Sequence, residues 1–325
     1  MKKISFISIM LLCVSGVLFA SDNISQIKVL TDSISISSAK NIGLNPGADG
    51  AAYYKNRELA TKNDIQRTAT IVIAAYNASE KSKSGADYIC TGINDYLVMK
   101  TAIESLPPGG GKIQLTEGEF KQGYPLSIER ENVSIVGVGR ATVINVQSNS
   151  YFYLTKSSIE IGYMHFNGGG GENLSITTPW ITGSPVLQNM FIHDLSIEGC
   201  HFAGRSLEVV YFENSMFSNI HFLDCNGLDV GSSRYCNVNN IFGVSGKNVV
   251  RLRGDAVVNP HSVFVSGVSG GIINITGAVK NAIITNSIVE KIIAGSTSRN
   301  CIISNNFSSD GITNSGISNY IYNNY

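Results

Sequence analysis

The chain of 325 residues predicts an all-β fold, a parallel β-helix whose first coil is covered by one amphipathic helix. Three observations lead there. Aromatic or isoleucine positions recur about every 20 residues in the second half, as in a solenoid. Short apolar strand patterns alternate with Asn- and Gly-rich turns. A single helical pattern stands ahead of them, and none follows.

From the N-terminus, Met1 to Ala20 has a charged start (Lys2, Lys3), an apolar run from Ile4 to Phe19 and a small residue before a cut. This is the pattern of a signal peptide for a secreted, extracellular protein; the alternative is an uncleaved anchor. Met10-Leu11-Leu12 ahead of Cys13 lacks the small residue of a lipoprotein signal. Residues 21–69 read as a polar N-terminal arm, and residues 70–325 as the β-helix domain. Lys plus Arg equals Asp plus Glu, 24 each, which argues against a nucleic-acid partner. No second apolar run implies a membrane after signal cleavage. Cys90, Cys200, Cys225, Cys236 and Cys301 have irregular spacing without a CxxC pair. They read as small buried hydrophobes, with room for one disulfide, and no zinc site is expected.

Thr70 to Tyr76 reads as a strand and Asn77 to Gly85 as a polar loop. Tyr96, Met99, Ile103 and Leu106 share one helical face, with Asn94 or Asp95 as cap and Pro107-Pro108 as the stop. This capping helix, about residues 95–106, should lie across the open end of the first coil, because an unpaired strand edge must be covered. Lys112–Leu115 and Asn132–Val138 follow as strands. The ladder is then Phe166, Phe202, Phe222, Phe242, Phe264, Ile288, Phe307 and Tyr325, with steps after the first gap of 20, 20, 22, 24, 19 and 18. Asn167 to Gln188 reads as an inserted loop carrying Trp180.

The segments ADYICTGINDYLVMKTAIESLPPGGGKIQLTEGEF (Ala86–Phe120) and NVSIVGVGRATVI (Asn132–Ile144) resemble the opening region of the pectin-lyase-like superfamily. Its members are right-handed parallel β-helices and include pectate lyases, polygalacturonases and phage tail spikes. GADGAAYYKNRELATKNDI (Gly47–Ile65) resembles linkers of phage tail fibres. The resemblance implies a protein that binds, and cleaves as a polysaccharide lyase or glycoside hydrolase, an acidic polysaccharide. The alternative is a non-catalytic adhesin or tail-fibre module.

Alternation in the second strand of each coil points Leu207/Val209, Leu228/Val230, Val250/Leu252 and Ile273/Ile275 inward. It points Glu208, Asp229, Arg251 and Asn274 outward, at steps of 21, 22 and 23, with Arg253 beyond them. Stacking makes these a surface row. Two carboxylates at such spacing suit a retaining glycosidase or calcium. By resemblance to pectate lyases, Arg251 would abstract a proton. Glu208, Asp229 and Arg251 are thus the candidate catalytic residues, with Arg253, Asn274 and Trp180 as substrate contacts. The plain alternative is a solvated row in which Asp229 pairs with Arg251. On this reading Asp229→Ala abolishes activity and leaves folding intact. The polygalacturonase pattern is absent: Asn226-Gly227 stands where that family has two aspartates, and only Arg251-Leu252-Arg253 resembles one of its words.

His165, His201 and His221 precede ladder positions and form a second outward row that continues as Ile241, Val263, Ser287 and Asn306. Asn240, Asn286, Asn305 and Asn323 read as an asparagine stack bonding backbone amides. Tyr325 falls on a ladder position with no cap after it, so the chain should associate as a homo-oligomer, either end to end or side by side as a trimer by resemblance to tail spikes, with Ile241 and Val263 at a lateral contact.

Overall fold

The computed structural model describes residues 70–147, 151–172, 174–177, 186–200, 206–254 and 261–325, plus four short strands nearer the N-terminus. The chain divides into two compact units, Met1–Arg67 and Thr68–Tyr325. In the first, Ile27–Leu30 pairs antiparallel with Ser33–Ile36, and Ala52–Tyr54 with Arg57–Ala60. The segment expected to be a signal peptide lies outside the described residues, as do Trp180, His201 and Phe202.

The second unit is a right-handed parallel β-helix. A 16-stranded sheet A and a nine-stranded sheet B stack their strands coil upon coil. In sheet A the order runs from Thr70–Ala74 through Gly111–Leu115, Val133–Val136, Ile159–Glu172, Phe191–Cys200 and Met216–Leu223 towards Tyr320–Tyr322. In sheet B the register Leu207↔Leu228↔Val250↔Ile273 carries the inward column. These side chains and their partners Val209, Val230, Leu252 and Ile275 are all buried. Period-two alternation explains it: every second side chain of a strand faces the lumen. Each fully buried aliphatic side chain contributes about 1.5–3 kcal/mol, so stability accumulates coil by coil.

Two columns of left-handed residues bend each coil. Ser158, Asn189, Asn214, Tyr235, Ser262, Asn281, Asn300 and Ser318 have φ of +50° to +62° and precede sheet A. Tyr163, Asp194, Asn219, Asn240, Gly267, Asn286, Asn305 and Asn323 have φ of +49° to +63° and fold sheet A into two faces. Asparagine tolerates this region better than other residues with a Cβ, which is why it recurs there. The predicted asparagine stack is therefore a row of bends. Its side chains bond each other where they bond at all: Asn240 Nδ2 donates to Asn219 Oδ1 (3.1 Å), and Asn219 to Asp194 (3.2 Å). Backbone amides are served by the next residue round. Buried Asn306 accepts from Ser287 N (3.1 Å) and donates to Ile284 O (3.1 Å), and Asn324 donates to Ile303 O (2.9 Å).

The front of the solenoid carries two helices, α1 (Glu80–Ser84) and α2 (Asp95–Ser105). The first lies where a loop was expected, because Ser79 caps it through Ser82 N. In α2, Met99, Ala102 and Ile103 are buried, as is Leu106 just past its end, while Tyr96 is half-buried against Tyr124. The start of α2 has no side-chain cap. Asp95 instead turns inward and accepts from Gly92 N (2.9 Å) and Lys121 N (2.8 Å), tying the helix to the coil beneath.

Counting by aromatic identity misplaces the ladder. Phe166 and Phe222 are buried, but Phe242, Phe264, Ile288 and Phe307 are 38–66% exposed. The register pairs His221 with Phe242 and Ser269 with Ile288 and Phe307, an outward column, whereas Ile241 and Val263 are fully buried. A one-residue slip flips every side chain to the other face, so Ile241 and Val263 can serve no lateral contact. Likewise the expected inserted loop contains Leu174–Thr177, a regular sheet B strand pairing Tyr151–Leu154 and Leu207–Val210. The five cysteines are buried free thiols; burial pushes Cys236 up to about 12.

Candidate functional site

The predicted row on sheet B assembles in register: Ser175↔Glu208↔Asp229↔Arg251↔Asn274. It is not a solvated surface row. Glu208 is 5% and Asp229 1% exposed, because the two arginines fold back across them. Arg251 Nε donates to Asp229 Oδ2 (3.0 Å), and its terminal nitrogen bonds the same oxygen. Arg253 bonds Glu208 Oε1 (2.7 Å) and lies 3.5 Å from Asp229 Oδ1. Ser175 Oγ donates to Glu208 Oε2 (3.3 Å). Gly231 provides the seat for Arg253: a Cβ there would stand 3.0 Å from the guanidinium. Asn274 bonds Asn248 (3.3 Å) and reaches neither carboxylate by any hydrogen bond among the described residues.

Two negative and two positive charges thus neutralise each other under cover. Calcium would need these carboxylate oxygens as ligands, and the arginines hold them, so the pair as arranged does not fit that ion. Among the described residues no group of three or more His, Cys, Asp or Glu side chains converges as a metal site. Asp229 points away from the lumen, as alternation predicts, but it is buried, and Asp229→Ala cannot leave folding untouched.

The histidine row is broken. Ser196 stands between His165 and His221 in register. His165 Nδ1 lies 3.1 Å from Ser196 Oγ; burial, with the Arg140 charge, holds His165 below the usual histidine range. His221 stacks on Phe242 at 4.4 Å.

Another histidine sits in a richer setting. His193, on sheet A just before the bend residue Asp194, is buried. Its Nδ1 lies 2.6 Å from Asp194 Oδ2 and its Nε2 3.0 Å from Glu160 Oε1. Each ring nitrogen thus faces a carboxylate oxygen. Phe191 stacks on the ring at 3.8 Å and Tyr163 meets it edge-on at 4.9 Å. Gly162 forms the floor, since a Cβ would lie 2.8 Å from the imidazole. The carboxylate side chains remain 34–35% exposed. Burial pushes Glu160 up, but hydrogen bonds from Ser134 and His193 and the charges of His193 and Lys112 outweigh it and hold the carboxyl below its ordinary value. Lys112 stands two coils away in the same column, Lys112↔Ser134↔Glu160. The arrangement is an ionised, reachable carboxylate buttressed by an imidazole, with a lysine and a half-exposed phenol nearby. It can exchange protons with a bound molecule. Residue counting missed it because Glu160 and His193 are 33 residues apart and meet only through coil register; the His193-Asp194 pair at a bend was the available signal.

No known protein family's sequence profile matches the chain, and no curated protein sequence matches it. Its fold does have counterparts. The ORF18 protein of Geobacillus virus E2 superposes with a TM-score of 0.52 at 12% identity, over 70% of this chain and 57% of that one. The chain thus spans little more than half of the phage protein. The likeness is one of fold alone. Looser matches include the A-module of an Azotobacter vinelandii mannuronan C-5 epimerase (TM-score 0.41, 13% identity, 72% of this chain and 94% of that one). A mannuronic-acid-specific family 6 polysaccharide lyase from human gut microbiota gives 0.43, 12%, 71% and 63%. Superpositions this loose leave the chemistry of this chain to be read from its own residues.

Proposed function

We propose that this chain is a secreted protein that binds an acidic polysaccharide and cleaves it by acid–base chemistry, with Glu160 as the base and Tyr163 as the acid, beside the His193–Asp194 pair. The observation that carries the reading is the imidazole held by a carboxylate at each nitrogen, with both carboxylates open to solvent. Glu160, ionised, is the proton acceptor for the acidic carbon beside a uronate carboxylate. Lys112 offsets the charge of that carboxylate, and Tyr163 is the hydroxyl donor toward the leaving oxygen. His193 is a positioning residue that keeps Glu160 charged and oriented. The Glu208–Asp229–Arg251–Arg253 network is structural in this reading.

The test is incubation with polyuronates and neutral glycans, read for unsaturated products and for reducing ends. Lyase chemistry gives both signals from a polyuronate, and Glu160→Gln removes both. Reducing ends without unsaturation would mean hydrolysis instead.

A second reading, a non-catalytic adhesin or tail-type module, is favoured by one observation. Phe264, Ile283 and Tyr320 in one outward column, and Phe242, Ile288 and Phe307 in the neighbouring one, are 36–66% exposed. Apolar surface of that extent marks interaction sites, and here it would join copies of the chain into a trimer. Absence of any product, together with a trimeric mass by light scattering, would favour this reading.

A further inference from the structure

We infer that a separate binding surface for a linear polyuronate runs along the wall between sheets B and A, on the stacked side chains of Arg234, His261, Lys280 and Arg299. The inference rests on the polysaccharide reading above but not on the Glu160 cluster.

These four residues occupy the same position in four consecutive coils, joined by parallel bridges Glu213↔Arg234↔His261↔Lys280↔Arg299↔Ile317. Residues on either side face the interior: Ser233, Val279 and Ser298 before them, and Cys236, Val263, Ala282 and Cys301 two places after, are all buried. The four side chains therefore project outward, with backbones about 4.8 Å apart from coil to coil. Lys280 and Arg299 stand directly opposite one another, and like charges so placed in a sheet are destabilising, so this part of the row needs a counter-charge. Only its first member has one among the described residues: Arg234 Nε lies 3.2 Å from Glu213 Oε1, in charge contact. Lys280 and Arg299 are exposed and have no ion pair among the described residues.

What fits is a ligand whose negative charges repeat on a straight line at about one coil per step. A polymer of uronic acids carries one carboxylate per ring and extends by roughly one ring length per charge. It also offers flat sugar faces. Tyr235, at the bend beside Arg234, is 52% exposed and meets His261 edge-on at 4.9 Å, an apolar ring with a polar tip. Duplex nucleic acid fits less well. Its phosphates follow a curve, and a chain with balanced charge has no wider basic field to hold it.

The experiment is calorimetric titration of the full chain with oligomannuronate and oligogalacturonate, with a neutral glucan oligomer as control. Wild type is compared with Lys280→Glu/Arg299→Glu and with the milder Lys280→Gln/Arg299→Gln. Both side chains are exposed, so melting temperature should hold; if the reversal variant fails to fold, the glutamine pair decides. Expected are binding to a uronate oligomer that weakens as salt rises from about 0.05 to 0.5 M, and at least a tenfold loss in the variants. The variants should keep wild-type turnover of a short uronate oligomer while KM for the long polymer rises. Uronate binding that is the same in wild type and variants overturns the inference and leaves the polysaccharide reading standing. No uronate binding by wild type overturns both. Duplex DNA binding tighter than uronate, and lost in the same variants, would make the occupant a nucleic acid and overturn the inference alone.

Discussion

Two clusters of outward charges on the solenoid, each seated on a glycine, differ in balance. Glu208, Asp229, Arg251 and Arg253 sum to zero, with the carboxylates buried under the guanidinium groups. Glu160, Asp194 and His193 carry more acceptor than donor capacity, and their carboxylates are a third exposed. A closed network holds coils together, whereas an open one has capacity left for a bound molecule. Register brings both together; what separates them is the length of the neighbours. Arginine is long enough to reach back across two coils, as Arg253 does to Glu208. Histidine reaches only the next shell and leaves its partners uncovered.

The largest effect expected from breaking this contrast is on stability. Asp229→Ala strands two arginines over a buried hole, and removing one partner of a buried pair costs about 3–5 kcal/mol. Urea unfolding of the variant checks it; a loss below about 1 kcal/mol, the range of surface pairs, would return the network to the solvated row expected from sequence.

The complementary break is on activity. Glu160→Gln keeps the shape and removes the charge, and loss of a general base costs roughly a hundredfold or more in rate, with melting temperature almost unchanged. Gly162→Ala should act in the same direction by lifting His193 off its floor, and its crystal structure would show the ring displaced. Equal loss of stability in Glu160→Gln and Asp229→Ala would erase the distinction between open and closed clusters.

The coil repeat, the covering helix and the inward sheet B residues from Leu207 to Ile275 were legible in sequence because alternation and helical spacing are local. The sites were less so. Phe242 was aligned with Phe222 by chemistry, although the structure pairs it with His221; bend residues such as Asn219 and Asn240 mark register better, since backbone conformation rather than side-chain type repeats. Direction also did not imply exposure. Asp229 points away from the lumen yet is buried, because what covers it comes from Arg251 and Arg253 in the next coil. In the linear sequence His193 shows only its neighbour Asp194, since its partner Glu160 comes beside it only once coils are in register.

A third, uncharged cluster sharpens the comparison with a smaller effect. Asn306 is 1% exposed and joins Ser287 N, Ile284 O and Asn324. Asn306→Ala would leave an amide and a carbonyl unmatched in the interior, at a cost of about 1–3 kcal/mol. Hydrogen exchange should show the loss concentrated at Ser287 and its neighbours, whereas Asp229→Ala should loosen sheet B.

The smallest effect belongs to a carboxylate at the solenoid's front. Glu117 accepts from Ser79 N (3.0 Å) and Ser82 Oγ (2.8 Å), pinning the cap of α1 to the turn between two strands. These hydrogen bonds favour the charged form and lower its pKa to about 2, from an ordinary 4.5. A depressed folded-state value means that the unfolded chain binds the proton more readily. The stabilisation is therefore complete above the ordinary value, shrinks as pH falls below it, and is gone below about 2. The group is largely solvated, so the effect is small and screened by salt. Comparing melts of wild type and Glu117→Gln across this range should show a difference that is largest near neutrality and vanishes on acidification. Direct NMR titration of the carboxyl gives the sharper reading. A midpoint at the ordinary glutamate value would mean that Ser79 and Ser82 do not hold it in solution, and that α1 is tied down by other contacts.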